Sequence, residues 1–458
     1  MTTDNADKGG TITMKLDNQT AAHSVEDAFF MPFTSNRRFR KDPVLFTEAR
    51  GMHYFRPDGT RVLDGIAGLW CVNAGHAREP ITAAIREAAG RLDFASSFQM
   101  SHPGASEYAK ALTAITPDGI DHVFFSNSGS EAVDTALKIA LAYQRAIGQP
   151  QRVRLIGRER AYHGVGFGGL SVSGIAAQRK PFGNLLPFVD HLPHTYDRSE
   201  IAFTKGQPTW GEHFADYLTR LVELHDGSTI AAVIVEPVSG STGVLVPPIG
   251  YLQKLREICT AHGILLIFDE VITGFGRLGA PFAAERFGVV PDIITSAKGL
   301  TNGAVPMGAT FVANHVFDAL MTGPIDNIEF MHGYTYSGHP LACAAGLAAL
   351  RVYQDENLFT HAAQLEAYWA DAAHKLRDLP GVLDIRNIGL LAAVDLQSDS
   401  SSPGKRGYGV HRACLRRDVL IRASGDTMLL SPPLVVRHED IDTMFSVLSE
   451  SILEGAAS

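Results

Sequence analysis

The chain has 458 residues, 45% of them hydrophobic and 19% charged, with a formal net charge of −9. That length exceeds what one hydrophobic core usually serves, so two domains are expected, with the composition of an ordinary globular protein. No basic run interleaves with aromatics and no stretch holds about 18 uninterrupted apolar residues, which argues against a nucleic-acid partner and a membrane span.

Residues 1–25 are polar, begin MTTDNADKGG and lack the apolar core of a signal peptide, so a flexible tail is expected there. The segment 26–70 contains GMHYFRPDGTRVLDGIAG, a hairpin signal around Pro57, Asp58 and Gly59. It is expected to pack with the smaller domain. Residues 71–340 alternate short apolar runs with helical patterns and should form the large domain. HVFFSNSGS leads into EAVDTALKIALAYQRAIG, where Val133, Leu137, Ala140 and Leu141 share one helical face and Gly148 is a plausible stop. Strands are predicted at VRLIG (153–157), TIAAVIVEP (229–237), ILLIFDE (264–270) and DIITSAK (292–298), and a helix at GYLQKLREICTAHG, ending at Gly263. Apolar strands alternating with helices predict an α/β fold with a mostly parallel sheet covered on both faces. Residues 341–458 mix helical stretches such as HAAQLEAYWADAAHKLRDL with strand-like VLDIRNIGLLAAVDL, which predicts a smaller α+β domain.

The cysteines Cys71, Cys259, Cys343 and Cys414 lie far apart without a CxxC, as reduced thiols of a cytoplasmic protein would. The 18 histidines show no HExxH or comparable ligand spacing, so no metal is expected.

Four features sit at ends of predicted strands, where ligands of parallel sheets bind. Ser128, Gly129 and Ser130 turn a strand into a helix, either as an anion site or as a plain N-cap. Tyr162 and His163 follow the strand 153–157, and the aromatic could stack on a planar ligand or simply pack. Asp269 and Glu236 end apolar strands, where a carboxylate is costly unless a cation meets it. A protonated ring nitrogen would serve, and so would Arg277. Lys298 follows DIITSA and precedes a Thr-Asn-Gly turn that reads as flexible. Alone it reads as a lysine reaching solvent; desolvated, it is a Schiff-base former. Together these features suggest phosphate, aromatic ring, ring nitrogen and aldehyde, which is pyridoxal 5′-phosphate. GFGRLG, Gly274 to Gly279, matches GxGxxG literally, but a strand does not run straight into it and Pro281 follows, so a dinucleotide fingerprint is not supported.

The stretches GLWCVNAGHAR, FFSNSGSEAVDTALKIA, AYHG, VEPVSGSTGVLVPP, LLIFDEVITGFGRLG, PDIITSAKGLTNGAVPMGA and HGYTYSGHPLACAAGLAAL resemble the class III aminotransferases, the ω-transaminase group of fold-type I pyridoxal-phosphate enzymes. HLPHT, VELHDGSTIAAVIVEP and DIRNIGL look closest to β-alanine:pyruvate transaminases. The resemblance implies that Lys298 carries the cofactor and later shuttles a proton, and that Asp269 pairs with the pyridine nitrogen. It places Tyr162 on one ring face and Val271 on the other, with Glu236 and His163 around the ring. It gives the phosphate to Ser128, Gly129 and Ser130, and to Thr335 of a neighbouring copy, which implies a homodimer or homotetramer. It surrounds the substrate with Phe33, Trp70, Phe98 and Tyr162, and gives the substrate carboxylate to Arg422. The implied activity is ping-pong transfer of an amino group from an ω-amino acid or primary amine to pyruvate. The alternative on the same site is a GABA or diamine:2-oxoglutarate transaminase, or an aminomutase.

Overall fold

The computed structural model describes residues 29–457; the tail expected at 1–25 lies outside them. A seven-stranded sheet forms its centre, in the spatial order His122–Ser126, Gly308–Val312, Ile293–Ser296, Leu265–Asp269, Ile230–Val235, Arg154–Arg158, Val189–Leu192. The last five run parallel. Gly308–Val312 is antiparallel to both its neighbours.

Successive side chains of a strand point to opposite faces, and here both faces are covered. Ala232, Ile234, Leu265 and Ile267 pack with Val133, Leu137 and Ala140 of the helix Gly129–Ala146. Val233, Val235, Leu266 and Phe268 join the other core, with Leu252, Leu255 and Cys259 of the helix Tyr251–His262. That two-sided burial, at about 1.5–3 kcal/mol for each large apolar side chain, explains why these strands read as unbroken apolar runs. Gly148 (φ +76°) and Gly263 (φ +64°) stand at the helix ends where the sequence placed stops.

The hairpin expected around Asp58 joins His53–Phe55 to Arg61–Asp64, with Asp58 accepting from the Thr60 amide at 2.9 Å. Its sheet also holds Glu48–Arg50 and, parallel to Arg61–Asp64, Val419–Leu420 from the far end of the chain. A third, antiparallel sheet comprises Val382–Ile388, Leu391–Leu396, Thr427–Leu430 and Arg422–Ser424. The helices Pro340–Asp355, Leu358–His374, Lys405–Arg416 and His438–Ala457 accompany it in the chain. The GxGxxG stretch forms turns, not the start of a helix. Gly276 and Gly279 have positive φ and leave no room for a Cβ, which would meet Phe359 at 2.3 Å and Ala363 at 2.7 Å. They serve the packing of the helix Leu358–His374. No helix is long and apolar enough to cross a membrane among the described residues.

Candidate active site

A cavity of about 210 Å³ opens where the parallel strands end, lined by Gly129, Ser130, Tyr162, Asp269, Val271 and Lys298, with His163, Gly164, Glu236, Ile272 and Ala297 completing its walls. Three consecutive parallel strands lead into it, through Asp269, Glu236 and the residues after Ser296.

Lys298 follows Ile293–Ser296 and begins the tight turn Lys298–Thr301 with φ +53°, in the left-handed region that costs a non-glycine residue about 1–2 kcal/mol. Neighbours hold it there. Tyr353 donates to the Gly299 carbonyl at 2.7 Å, and Asn302 accepts from the Ala74 amide at 2.7 Å while donating to the Gly75 carbonyl at 2.9 Å. A Cβ on Gly299 would stand 2.7 Å from Asn73. The Thr-Asn-Gly stretch is therefore a clamp and not the flexible turn the sequence suggested, because Asn302 is buried and saturated with backbone partners. The lysine side chain stays partly open to the cavity, yet burial of its amine lowers its pKa, with Cys71, Asp269 and Glu236 acting in the opposite sense. A neutral amine is the carbonyl-reactive form.

Asp269 is 5% exposed. One of its oxygens lies 2.7 Å from His163 Nδ1; the other accepts from Thr295 Oγ1 at 3.1 Å and the Val271 amide at 3.2 Å. Arg277 does not pair with it. That side chain, on the turn after the strand, instead donates to Asn73 at 2.6 Å and to the Pro432 carbonyl. Glu236 accepts from the Tyr162 amide at 2.9 Å and the Gly240 amide at 3.2 Å. Burial pushes its pKa up to about 7, against the pull of His163.

Ser128 is an N-cap, accepting from the Glu131 amide at 3.2 Å, while the Glu131 carboxylate accepts from the amide of Asn127, the residue before the cap, at 2.7 Å. It is not among the lining residues, whereas Gly129 and Ser130 of the first helical turn are. Amide groups of a first turn have no intrahelical acceptor and favour anions. Ser130 accepts from the Val165 amide at 3.1 Å, and a Cβ on Gly164 (φ +91°) would come within 2.5 Å of its hydroxyl. This crowded cradle, an amine, a carboxylate, and Tyr162 and Val271 on the walls together fit pyridoxal 5′-phosphate.

Phe33 and Arg422 line a second, larger cavity of about 500 Å³, with Ile66, Gly68, Leu69 and Arg38 among its other walls. The Arg422 guanidinium lies 5.6 Å from the Trp70 ring centroid, and its charge acts on both Tyr162 and Lys298. Trp70, which the resemblance placed around the substrate, is buried and lines neither cavity; it ends the segment Ala67–Trp70, which Asp64 ties down by accepting from the amides of Ile66 at 3.0 Å and Gly68 at 2.6 Å while meeting His76 at 2.8 Å. Phe98 and Thr335 line neither cavity. Both are exposed, and Phe98 lies beside Gly333, in the same loop as Thr335. Sequence reasoning missed Ile272, Ala297 and Thr295; their signal was position, one to three residues from Asp269 and Lys298. Among the described residues no cluster of three His, Cys, Asp or Glu could hold a metal.

The aminotransferase class-III family profile matches residues 34–452. An omega-aminotransferase of Caulobacter vibrioides is 57% identical over 92% of this chain and 96% of its own length. A beta-alanine–pyruvate aminotransferase of Pseudomonas aeruginosa is 46% identical over 93% and 95%. Among solved structures, a PLP-bound amine transaminase from an uncultivated Pseudomonas species matches with a TM-score of 0.87 at 36% identity, over 94% of this chain and 99% of that one. An (S)-enantioselective omega-transaminase of Thermomicrobium roseum gives 0.88 at 35% identity, over 95% and 97%. With its mostly parallel seven-stranded sheet and strand-end lysine and aspartate, the chain belongs to the class III aminotransferases, pyridoxal-phosphate enzymes of fold-type I.

Proposed function

We propose that this chain is an ω-transaminase that moves an amino group from an ω-amino acid resembling β-alanine, or from a primary amine, to pyruvate in two half-reactions. The observation that carries the reading is the placing of Arg422 beside Trp70, close enough for its charge to act on Lys298 and Tyr162. The names of the relatives in Caulobacter and Pseudomonas support it.

Bound pyridoxal phosphate supplies an electron sink that makes the carbon bearing the amine acidic. Lys298 would hold the cofactor through its amine and, once free of it, would move a proton at the substrate carbon. Asp269, oriented by His163 and Thr295, would meet the ring nitrogen and favour its protonated form. Tyr162 and Val271 would hold the ring from the cavity walls, which Glu236 and His163 complete. The backbone of Gly129 and Ser130 binds the phosphate. Ser128 acts indirectly, by capping that helix. The Arg422 fork would take a substrate carboxylate, Phe33 would offer an apolar wall to a carboxylate-free amine, and the buried Trp70 would act through its contact with Arg422. Phe98 and Thr335 complete the site of a second copy in a homodimer. The reading includes a cytoplasmic location, which suits four free cysteines.

A panel of donors with pyruvate or 2-oxoglutarate tests the assignment. Turnover of β-alanine with pyruvate is expected, and Arg422→Ala should impair β-alanine and pyruvate more than carboxylate-free amines. Turnover with 2-oxoglutarate alone would overturn the pyruvate assignment.

A further inference from the structure

One buried arginine outside both cavities ties the strands that carry Arg422 to the wall of the cofactor site. Arg386, on Val382–Ile388, is 4% exposed. Its two terminal nitrogens reach the two oxygens of Asp395 at 2.8 Å each, and it also pairs with Asp384. Its Nε donates to the Gly243 carbonyl at 2.8 Å. Tyr196 closes the cluster, donating to Asp384 at 2.8 Å with its ring 4.6 Å from the guanidinium carbon.

The contacts run on in two directions. Toward the substrate side, Asp395 accepts from Thr427 Oγ1 at 2.7 Å, and Thr427 is the strand partner of Ser424, two residues from Arg422. Toward the cofactor side, Gly243 belongs to the loop closed by the Ser239–Leu245 bridge. The Gly240 amide of that loop donates to Glu236 at 3.2 Å, and a Cβ on Gly240 would stand 2.8 Å from Ile272 in the cavity wall. Gly243 itself has φ +120° and no spare room, since a Cβ would stand 3.0 Å from Arg386 Nη2. The planar guanidinium grips both sides at once, which an ammonium cannot do.

The geometry points to Arg386 as a positioning residue that sets how Arg422 stands relative to the cofactor cavity, and thereby sharpens the choice between carboxylate-bearing and carboxylate-free donors. This rests on the role proposed for Arg422. A staple that only held the fold together would affect all donors alike.

Arg386→Lys keeps the charge and loses the fork. In the holoenzyme it should raise KM for β-alanine about tenfold, while KM for benzylamine and kcat with both donors change less than about twofold. In an Arg422→Ala background the same substitution should leave KM for β-alanine unaltered, since coupled residues are non-additive. Thr427→Val removes one hydrogen bond at nearly constant shape and covers the case in which the lysine variant fails to fold; it should raise the same KM about threefold. Equal losses with both donors, or an effect that persists in full without Arg422, would overturn the proposal. Should Arg422→Ala itself fail to separate the two donors, the role of Arg422 falls, and this inference with it.

Discussion

Replacing Glu236 by Gln should change how stability depends on pH. Glu236 is 4% exposed, and burial moves its pKa from 4.5 to about 7. At about 1.4 kcal/mol per pKa unit, holding the charged form inside the fold costs about 3 kcal/mol. Below pH 4.5 the acid is neutral in both folded and unfolded chains, so no penalty exists. Between 4.5 and 7 the unfolded chain ionises while the fold keeps its proton, and stability falls as pH rises. Above about 7 both are ionised and the full penalty remains. Gln stays neutral throughout. Its other effects, including the amide placed near the Tyr162 and Gly240 N–H groups, add an offset that does not vary with pH. Urea unfolding of the cofactor-free protein, followed by circular dichroism at pH 5 and pH 8, measures the effect without linkage to the ligand. The variant should gain about 2.5 kcal/mol on the wild type between those pH values, since part of the penalty is already present at pH 5. A difference that stays constant across the range would refute the reasoning.

Two further outcomes follow from the site. Lys298→Ala should lower transamination by at least about 100-fold, as loss of a positioned acid–base group does, while equilibrium dialysis still detects pyridoxal phosphate held by the Gly129–Ser130 turn. Asp269→Asn keeps an acceptor for Thr295 and Val271 but loses the negative charge; single-turnover reaction with an amine should slow about 100-fold with little change in cofactor retention.

The chemistry was legible in the sequence because its carriers are local. Lys298, Asp269 and Glu236 follow or end buried strands, and Gly129 and Ser130 open a helix, so hydrophobic pattern alone put them where strands end. The outer parts were less legible because tertiary structure places them. Trp70 meets Arg422 across 352 positions of sequence, and no periodicity foretells that contact. Thr335 and Phe98 lie on the surface, away from both cavities, and only the family resemblance singled them out. Arg386 drew no notice because its strand reads as ordinary core. Ser128 shows the limit of local reasoning in another way. Both an anion site and a cap suited its pattern, and its hydroxyl makes the cap.

Positive φ at non-glycine residues is spread over the chain, at Phe188, Asp226, Asn357 and Asp418 among others, and four instances bear on the proposed site. Non-glycine residues with positive φ include Phe33 (+46°), Ala67 (+49°), Trp70 (+58°) and Lys298 (+53°). Phe33 and Lys298 are proposed to touch substrate or cofactor, and Ala67 belongs to the short segment that carries Trp70. Such conformations persist only where surroundings over-determine them. At Lys298 the surroundings are the bonds to Gly299 and Asn302; at Trp70 they are the carboxylate of Asp64 and its partner His76. A relaxed backbone would not need these ties. For the role proposed for Lys298, a fixed and slightly strained backbone keeps its side chain on the cavity wall. The polar ties around Gly299, Asn302 and Asp64 therefore position residues of the proposed site, although none of them lines the cavity.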